Sequence, residues 1–405
     1  MSSAIDFPSI PDEEFHQRMA GLKTKMAEQS IDLLVLFSNQ LDPGHVRYFA
    51  DVAGINESAA LVVPLEGEPI VCSGQACQAW SAYKSRWKDV RILPEVGEVA
   101  GTEYEIGQQF TFTDLFEEVR QRYSVRKIGT VGTLIFPQVI YRQLTDVFSN
   151  VPVVNAEGLV FELRVIKSRN EIACMRKAAN ILDNAFAKTV DALRPGWTEL
   201  DIHASIVAES LRGGAEGMAA AWEPMIPSGP ENTQLCMNKN SLRQVREGEI
   251  IDLQAGVLYE GYNAALCTPI VLGKIPSEIA EAVLVAEDVV LAILDGLKPG
   301  ATSKGLTAAG RGILNERGYA GYSPYGLVHT IGCLECESPW LPVDKDLEIR
   351  AGMTVCIDVF FFRLPWGSFR YEDTIAVQQD GPERLTKFNT GFVRPYFIGG
   401  KAGIG

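Results

Sequence analysis

Apolar and polar positions divide the chain into two differently patterned halves. Residues 13–28 carry apolar side chains at helical spacing, and residues 31–37 (IDLLVLF) follow as an unbroken apolar run that reads as a buried strand. Further strand-like runs at 59–63, 69–72, 90–93, 127–131 and 151–154 are separated by helical stretches such as 113–123 and 137–147. Strands and helices in turn predict an α/β domain. Pro152 has no N–H to give a ladder, so it confines the last of these strands to a sheet edge.

From about residue 164 the pattern lengthens. The run LRVIKSRNEIACMRKAANILDNAFAKTVDAL predicts a long amphipathic helix with Glu171 in its first turn, closed by Arg194, Pro195 and Gly196. A second helix follows Thr198, an N-cap candidate whose Asp201 supplies the acid of a capping box. Strand-like runs recur at 250–253, 261–271, 353–362 and 375–378, and helices at 277–297 and 303–317 flank Lys298, Pro299 and Gly300. No internal repeat or low-complexity segment interrupts the chain. The change of pattern places the domain boundary at about residue 160, giving domains 1–160 and 161–405.

A chain of 405 residues with 46% apolar content buries substantial cores and is long enough for two domains. Its formal charge of −14 works against phosphate backbones, whose readers need a clustered basic face, so nucleic acid is not an expected partner. A neutral or cationic small molecule suits this charge better. The first residues, MSSAIDFPSIPDEEF, lack a basic stretch followed by an apolar one, and no run approaches the length of a membrane span. A cytoplasmic location without a membrane partner is therefore expected, with the eight cysteines as free thiols. Cys333 and Cys336 form a C-x-x-C, but the second pair that a structural zinc site needs is absent.

The joint sequence LRVIKSRNEI…MRKAA resembles the opening of the catalytic domain in creatinase, prolidase and aminopeptidase P. Further signatures of that family follow in order. They are Ser228 with Gly229, the Gly261–Tyr262 step, His329-Thr-Ile-Gly332 with Glu337, and Arg370-Tyr-Glu-Asp-Thr374 after Gly352 and Met353. The resemblance implies an α/β N-terminal domain followed by an α+β pita-bread catalytic domain. It also implies a homodimer in which the N-terminal domain of one subunit closes the site of the other.

The metallopeptidases of this family hold two metals with two aspartates, a histidine and two glutamates, because two adjacent divalent ions need several anionic oxygens. On the resemblance those positions fall here on Gln254, Ala265, His329, Asp358 and Glu372. Glutamine and alanine cannot bridge two ions, so the expectation is a metal-independent site, with no cofactor, similar to that of creatinase. Cys236, Cys267 and Cys336 stand where creatinase carries its general base, an extra glutamate and a second histidine. Glu57 and Trp340 stand at the arginines that grip creatinase's carboxylate, which implies a cationic substrate. Trp222 and Tyr262 are expected to line the same pocket.

The resulting expectation is a creatinase-like hydrolase of a C–N bond in a small cationic nitrogen compound. His329 and Glu372 manage protons, Asp358 orients one of them and raises Glu372's proton affinity, and Cys236 is either nucleophile or pocket wall. Glu57, Trp340, Tyr262, Trp222, Cys267 and Cys336 surround the substrate. Three alternatives stay open. One is a lyase acting on a sulfonium or ammonium metabolite, and another is a non-catalytic binding module. The third is a mononuclear Xaa-Pro-type metallopeptidase using Asp252, His329, Asp358 and Glu372, where Asp252 shares a strand face with Gln254.

Overall fold

A computed structural model of the chain describes residues 7–98, 110–219, 222–235, 238–324, 326–339, 341, 346–391 and 397–398. It consists of two compact units, one of Ile10–Arg164 and one of Val165–Gly405 with Met1–Ser9.

The first unit runs α1 (Asp12–Glu28), β1 (Leu33–Ser38), α2 (Gly44–Ala50), β2 (Ala59–Pro64), β3 (Ile70–Ser73), α3 (Gln78–Lys84) and β4 (Asp89–Ile92). It continues through α4 (Phe112–Arg122), β5 (Ile128–Val131), α5 (Gln138–Val147), β6 (Val153–Asn155) and α6 (Glu157–Arg164). The strands order as β4-β3-β2-β1-β5-β6. Pro152 thus precedes an edge strand, and its carbonyl accepts the N–H of Ile128. Leu33, Val35 and Phe37 of β1 bury against Phe112 and Phe116 of α4 and Leu144 of α5. Helices α2 and α3, each of seven residues, are too short to leave a periodic signal in the sequence.

The second unit opens with α7 (Arg169–Ala192) and α8 (Glu199–Arg212), then β7 (Gly217–Met218), α9 (Gly229–Thr233), β8 (Ile250–Tyr259), β9 (Tyr262–Leu272), α10 (Ser277–Gly296) and α11 (Ser303–Glu316). It closes with β10 (Val328–Thr330), β11 (Thr354–Leu364), β12 (Gly367–Gln378), β13 (Gly381–Arg384), α12 (Phe388–Gly391) and β14 (Phe397–Ile398). Both predicted N-termini are capping boxes. Ser168 caps α7 with Glu171, and Thr198 caps α8 with Asp201, so orphan N–H groups at each helix start find carboxylate or hydroxyl partners.

An eight-stranded sheet in the order β10-β11-β12-β9-β8-β7, with β13 on β12 and β14 on β9, forms the pita-bread layer. Between β8 and β9 the chain reverses over Glu260 and Gly261, with φ of 48° and 80°. Two consecutive left-handed residues make the tight hairpin turn whose twist matches the strands, which is why a glycine stands just before Tyr262. Tyr262 donates its hydroxyl to Glu171 of α7 at 2.9 Å, so the even-numbered side of β9 faces the helices. The odd-numbered side faces away from them.

Candidate metal centre

Four strands in register build the site. Gln254 of β8 pairs with Cys267 of β9, Cys267 with Glu372 of β12, and Glu372 with Asp358 of β11. These side chains lie in one row across the sheet. On the next strand His329 pairs with Cys356, which lies two residues before Asp358 and so shares its face. The family positions spread over more than a hundred residues of sequence therefore meet through sheet register.

The contacts are polar and buried. His329 Nε2 lies 3.3 Å from Glu372 Oε1 and 3.7 Å from Glu335 Oε1. Its Nδ1 is 3.2 Å from the carbonyl of Thr330, which fixes the ring with Nε2 toward the carboxylates. Cys267 donates its thiol to Glu372 Oε2 at 3.0 Å. Arg370 Nη1 is 3.2 Å from Asp358 Oδ2, while its main-chain N–H donates to Asp252 Oδ2 at 3.0 Å. Gln254 Nε2 donates to the same Asp252 oxygen at 2.7 Å.

Electrostatics sort these groups. Burial works against a charged His329, but its bonds to Cys336 and Glu372 and the charges of Glu335 and Glu372 outweigh that and hold its pKa well above the ordinary value. Burial raises Glu372, yet His329, Cys267 and Arg370 overcome it and pull the carboxyl below its usual range. Sequence reasoning expected the opposite shift for Glu372 from repulsion by Asp358. His329 accounts for most of the difference, followed by Cys267, and Arg370 adds to it while pairing with Asp358. The raised acids are instead Glu335 and Asp252, each lifted to about 7, chiefly by burial.

Other expected site residues distribute unevenly. Cys267 and Cys336 do reach the centre, one on Glu372 and the other on His329. Burial pushes both thiols up, as it does the thiol of Cys356. Trp222 covers the same sheet face, since a Cβ on Gly256, two residues past Gln254, would come within 3.3 Å of its ring. Tyr262 does not line the site. Its side chain is on the helix side of β9 because it is five residues from Cys267, the wrong parity for a shared face. Glu57 is buried in the first unit, where its carboxylate accepts the N–H groups of Ala76 and Cys77 at 3.1 and 2.8 Å. Cys236 and Trp340 lie outside the described residues.

Two residues that sequence reasoning left out stand at the centre. His329, Glu335, Cys356 and Glu372 each bring a ligand atom within 4.8 Å of the other three. Cys356 counted only as one of eight free thiols, and its parity with Asp358 was the available signal. Glu335 sits on an irregular segment with no such signal. One nitrogen, one sulfur and two carboxylate groups at this separation fit one divalent ion. They do not fit the family's usual pair, because Ala265 offers no donor and Gln254 is turned to Asp252.

The model of metallopeptidase family M24 matches residues 173–379, just over half of the chain. The chain belongs to metallopeptidase family M24. The creatinase/prolidase N-terminal domain matches residues 18–166 of this M24 protein. An Xaa-Pro dipeptidase of Pyrococcus furiosus is 26% identical over 384 residues, covering 92% of this chain and 98% of that one. A probable dipeptidase PepE of Mycobacterium tuberculosis is 30% identical over 256 residues, covering 63% and 67%. Among solved structures, the prolidase from Pyrococcus horikoshii OT3 superposes with a TM-score of 0.78 at 21% identity, covering 92% and 98%. An X-Pro aminopeptidase from Thermotoga maritima gives 0.80 at 20%, covering 94% and 99%.

These findings overturn the expectation of a metal-independent, cofactor-free, creatinase-like hydrolase of a cationic compound. Relatives matched along nearly the whole length carry peptidase names, and the described residues gather a four-residue donor set that the expectation did not contain. Gln254 and Ala265, standing where the family has two aspartates, argue against a second ion and not against a first.

Proposed function

We propose that this M24 protein hydrolyses the C–N bond of small peptides, Xaa-Pro dipeptides foremost, at a centre holding one divalent ion. The carrying observation is the convergence of His329, Glu335, Cys356 and Glu372 on a single point. Similarity to an Xaa-Pro dipeptidase over 92% of the chain supports the peptide substrate.

His329 and Glu372 form the framework that would hold the ion, with Cys356 and Glu335 beside them. A bound divalent ion would polarise the scissile carbonyl and acidify an attacking water. The protein's own groups do the rest. The Thr330 carbonyl accepts from Nδ1 of His329 and so would leave Nε2, which points at Glu372, unprotonated and able to ligate. Cys267 donates to the far oxygen of Glu372 and keeps that carboxylate from rotating. Arg370 neutralises Asp358 and so lowers the cost of a second acid in a buried row. Glu335, the most accessible acid of the four, would take the attacking water's proton and pass it to the leaving nitrogen. Trp222 closes one wall over Gly256.

The same reading includes a homodimer in a cytoplasmic, reducing compartment. Support for that compartment comes from the free thiols of the described cysteines. Among the described residues no helix is long and apolar enough to cross a membrane. The test is hydrolysis of a panel of Xaa-Pro and non-prolyl dipeptides by protein stripped with chelator and reloaded with single metals. Cleavage that vanishes on stripping and returns on reloading is expected, and absence of dipeptide cleavage with every metal would remove the proposal.

A further inference from the structure

The geometry points to Cys356 as a thiolate ligand of the ion, with His329 and Glu372 as its two partners and Glu335 facing the fourth, open position. This rests on the single-ion reading above and goes further by naming a soft donor that the family's oxygen and nitrogen set does not contain. Asp358, at the family's glutamate position, is held by the guanidinium of Arg370 at 3.2 Å. Asp252 is held by Gln254 and the Arg370 N–H. One oxygen of each acid of the expected mononuclear set is therefore engaged elsewhere.

Cys356 is placed for the role. It is one side chain back from Asp358 on the same face, directly across the ladder from His329, and fully buried. Its sulfur meets Thr374 Oγ1 at 3.7 Å and the carboxylate of Glu372, so it already lies against one of the proposed partner ligands. On binding, the thiol proton leaves to solvent and the sulfur–metal bond forms, with no change of oxidation state. His329 likewise gives up the proton on Nε2. Three protein ligands from β10, β11 and β12 leave one position for water or substrate, the arrangement of a catalytic rather than a structural site. Glu335, with 19% of its side chain exposed, is the most accessible of the four and stands at that opening. A nitrogen–sulfur–oxygen set favours zinc or cobalt over manganese or magnesium.

The test loads stripped full-length protein with cobalt(II) and with zinc(II). Cobalt should bind at one ion per chain and develop thiolate-to-metal charge-transfer absorption. X-ray absorption on the zinc form should show one sulfur scatterer at about 2.3 Å. Cys356→Ser should abolish the charge-transfer band and weaken zinc binding at least about tenfold, the scale of a lost ligand interaction. Cys267→Ser and Cys336→Ser should retain the band. Two ions per chain, a zinc shell without sulfur in the wild type, or a band that survives Cys356→Ser would each overturn the assignment. A sulfur-containing single-ion site without dipeptide cleavage would uphold Cys356 as a ligand and remove only the peptidase reading. If a Cys356 variant fails to fold, a sulfur scatterer in the wild type together with a band that persists in both Cys267→Ser and Cys336→Ser assigns the ligand by elimination, and loss of the band in either of those variants overturns it.

Discussion

Replacing Lys167 by methionine would leave the carboxylate of Glu337 charged, buried and without its cation. The two side chains form an ion pair with exposures of only 2% and 1%. Removing one partner of such a pair costs about 3–5 kcal/mol, because the desolvation already incurred by the other charge is no longer offset by attraction. For a domain of this size that loss lowers Tm by on the order of 10 °C. The pair also ties the joint before α7 to the loop after β10, where Glu337 N donates to the carbonyl of Thr330, the neighbour of His329. Metal affinity should fall along with stability. The Gly332 position explains the family's H-x-x-G spacing, since a Cβ there would come 2.4 Å from Glu337 Oε1 and 2.7 Å from Lys167 Cε. Urea unfolding followed by circular dichroism of the wild type, Lys167→Met, Glu337→Leu and the double variant forms a thermodynamic cycle. Each single change should cost several kcal/mol, and the double variant should recover much of the loss, because an apolar pair of similar volume carries no buried charge. A cost below about 1 kcal/mol for Lys167→Met, the level of a solvent-exposed pair, would refute the reasoning.

Glu372→Gln removes the charge that holds His329 and should reduce kcat for dipeptide cleavage by about 10²–10⁴-fold, measured at saturating metal; a change under tenfold would exclude a direct role. Asp183 accepts the N–H groups of Lys387 and Phe388, and burial first of all lifts its pKa from 3.8 to about 6. A raised acid binds its proton more tightly in the folded state, so folding gains stability as pH falls from about 7 toward 4. The full gain is about 3 kcal/mol at 1.36 kcal/mol per unit. Asp183→Asn should lose this pH-dependent increment, and a wild-type minus variant stability difference that stays constant between pH 7 and 4.5 would contradict it. Gly310 has no room for a larger side chain, because a Cβ would meet Leu327 Cδ1 at 2.5 Å and Ile293 Cδ1 at 3.0 Å. Gly310→Val should therefore cost about 1–3 kcal/mol of overpacking, read as a lowered denaturation midpoint.

Sequence periodicity and capping chemistry determined the elements around the site. Thr198 with Asp201 marked the start of α8, and the strand-like run at 261–271 marked β9. These signals are local, because a helix cap or a two-residue turn is satisfied by its own neighbours. Family motifs likewise located His329, Asp358 and Glu372, since each falls at its place in the ordered set of signatures. What local pattern could not decide was the function of the acids. Asp358 looked like a ligand until the fold brought Arg370 against it, and Glu372 looked like a raised acid until His329 and Cys267 proved to stabilise its charge. Cys356 counted only among the free thiols because a buried thiol is an ordinary apolar filler. Only sheet register sets it opposite His329, and only a loop without periodic signature carries Glu335 to both. The sequence by itself therefore determined the family, the long strands β8, β9 and β11 and the absence of a bridging pair of aspartates, but not the three-residue β10 that carries His329. Tertiary structure decided which donors converge, because ligand geometry and pKa depend on distances between strands that no spacing along one strand encodes.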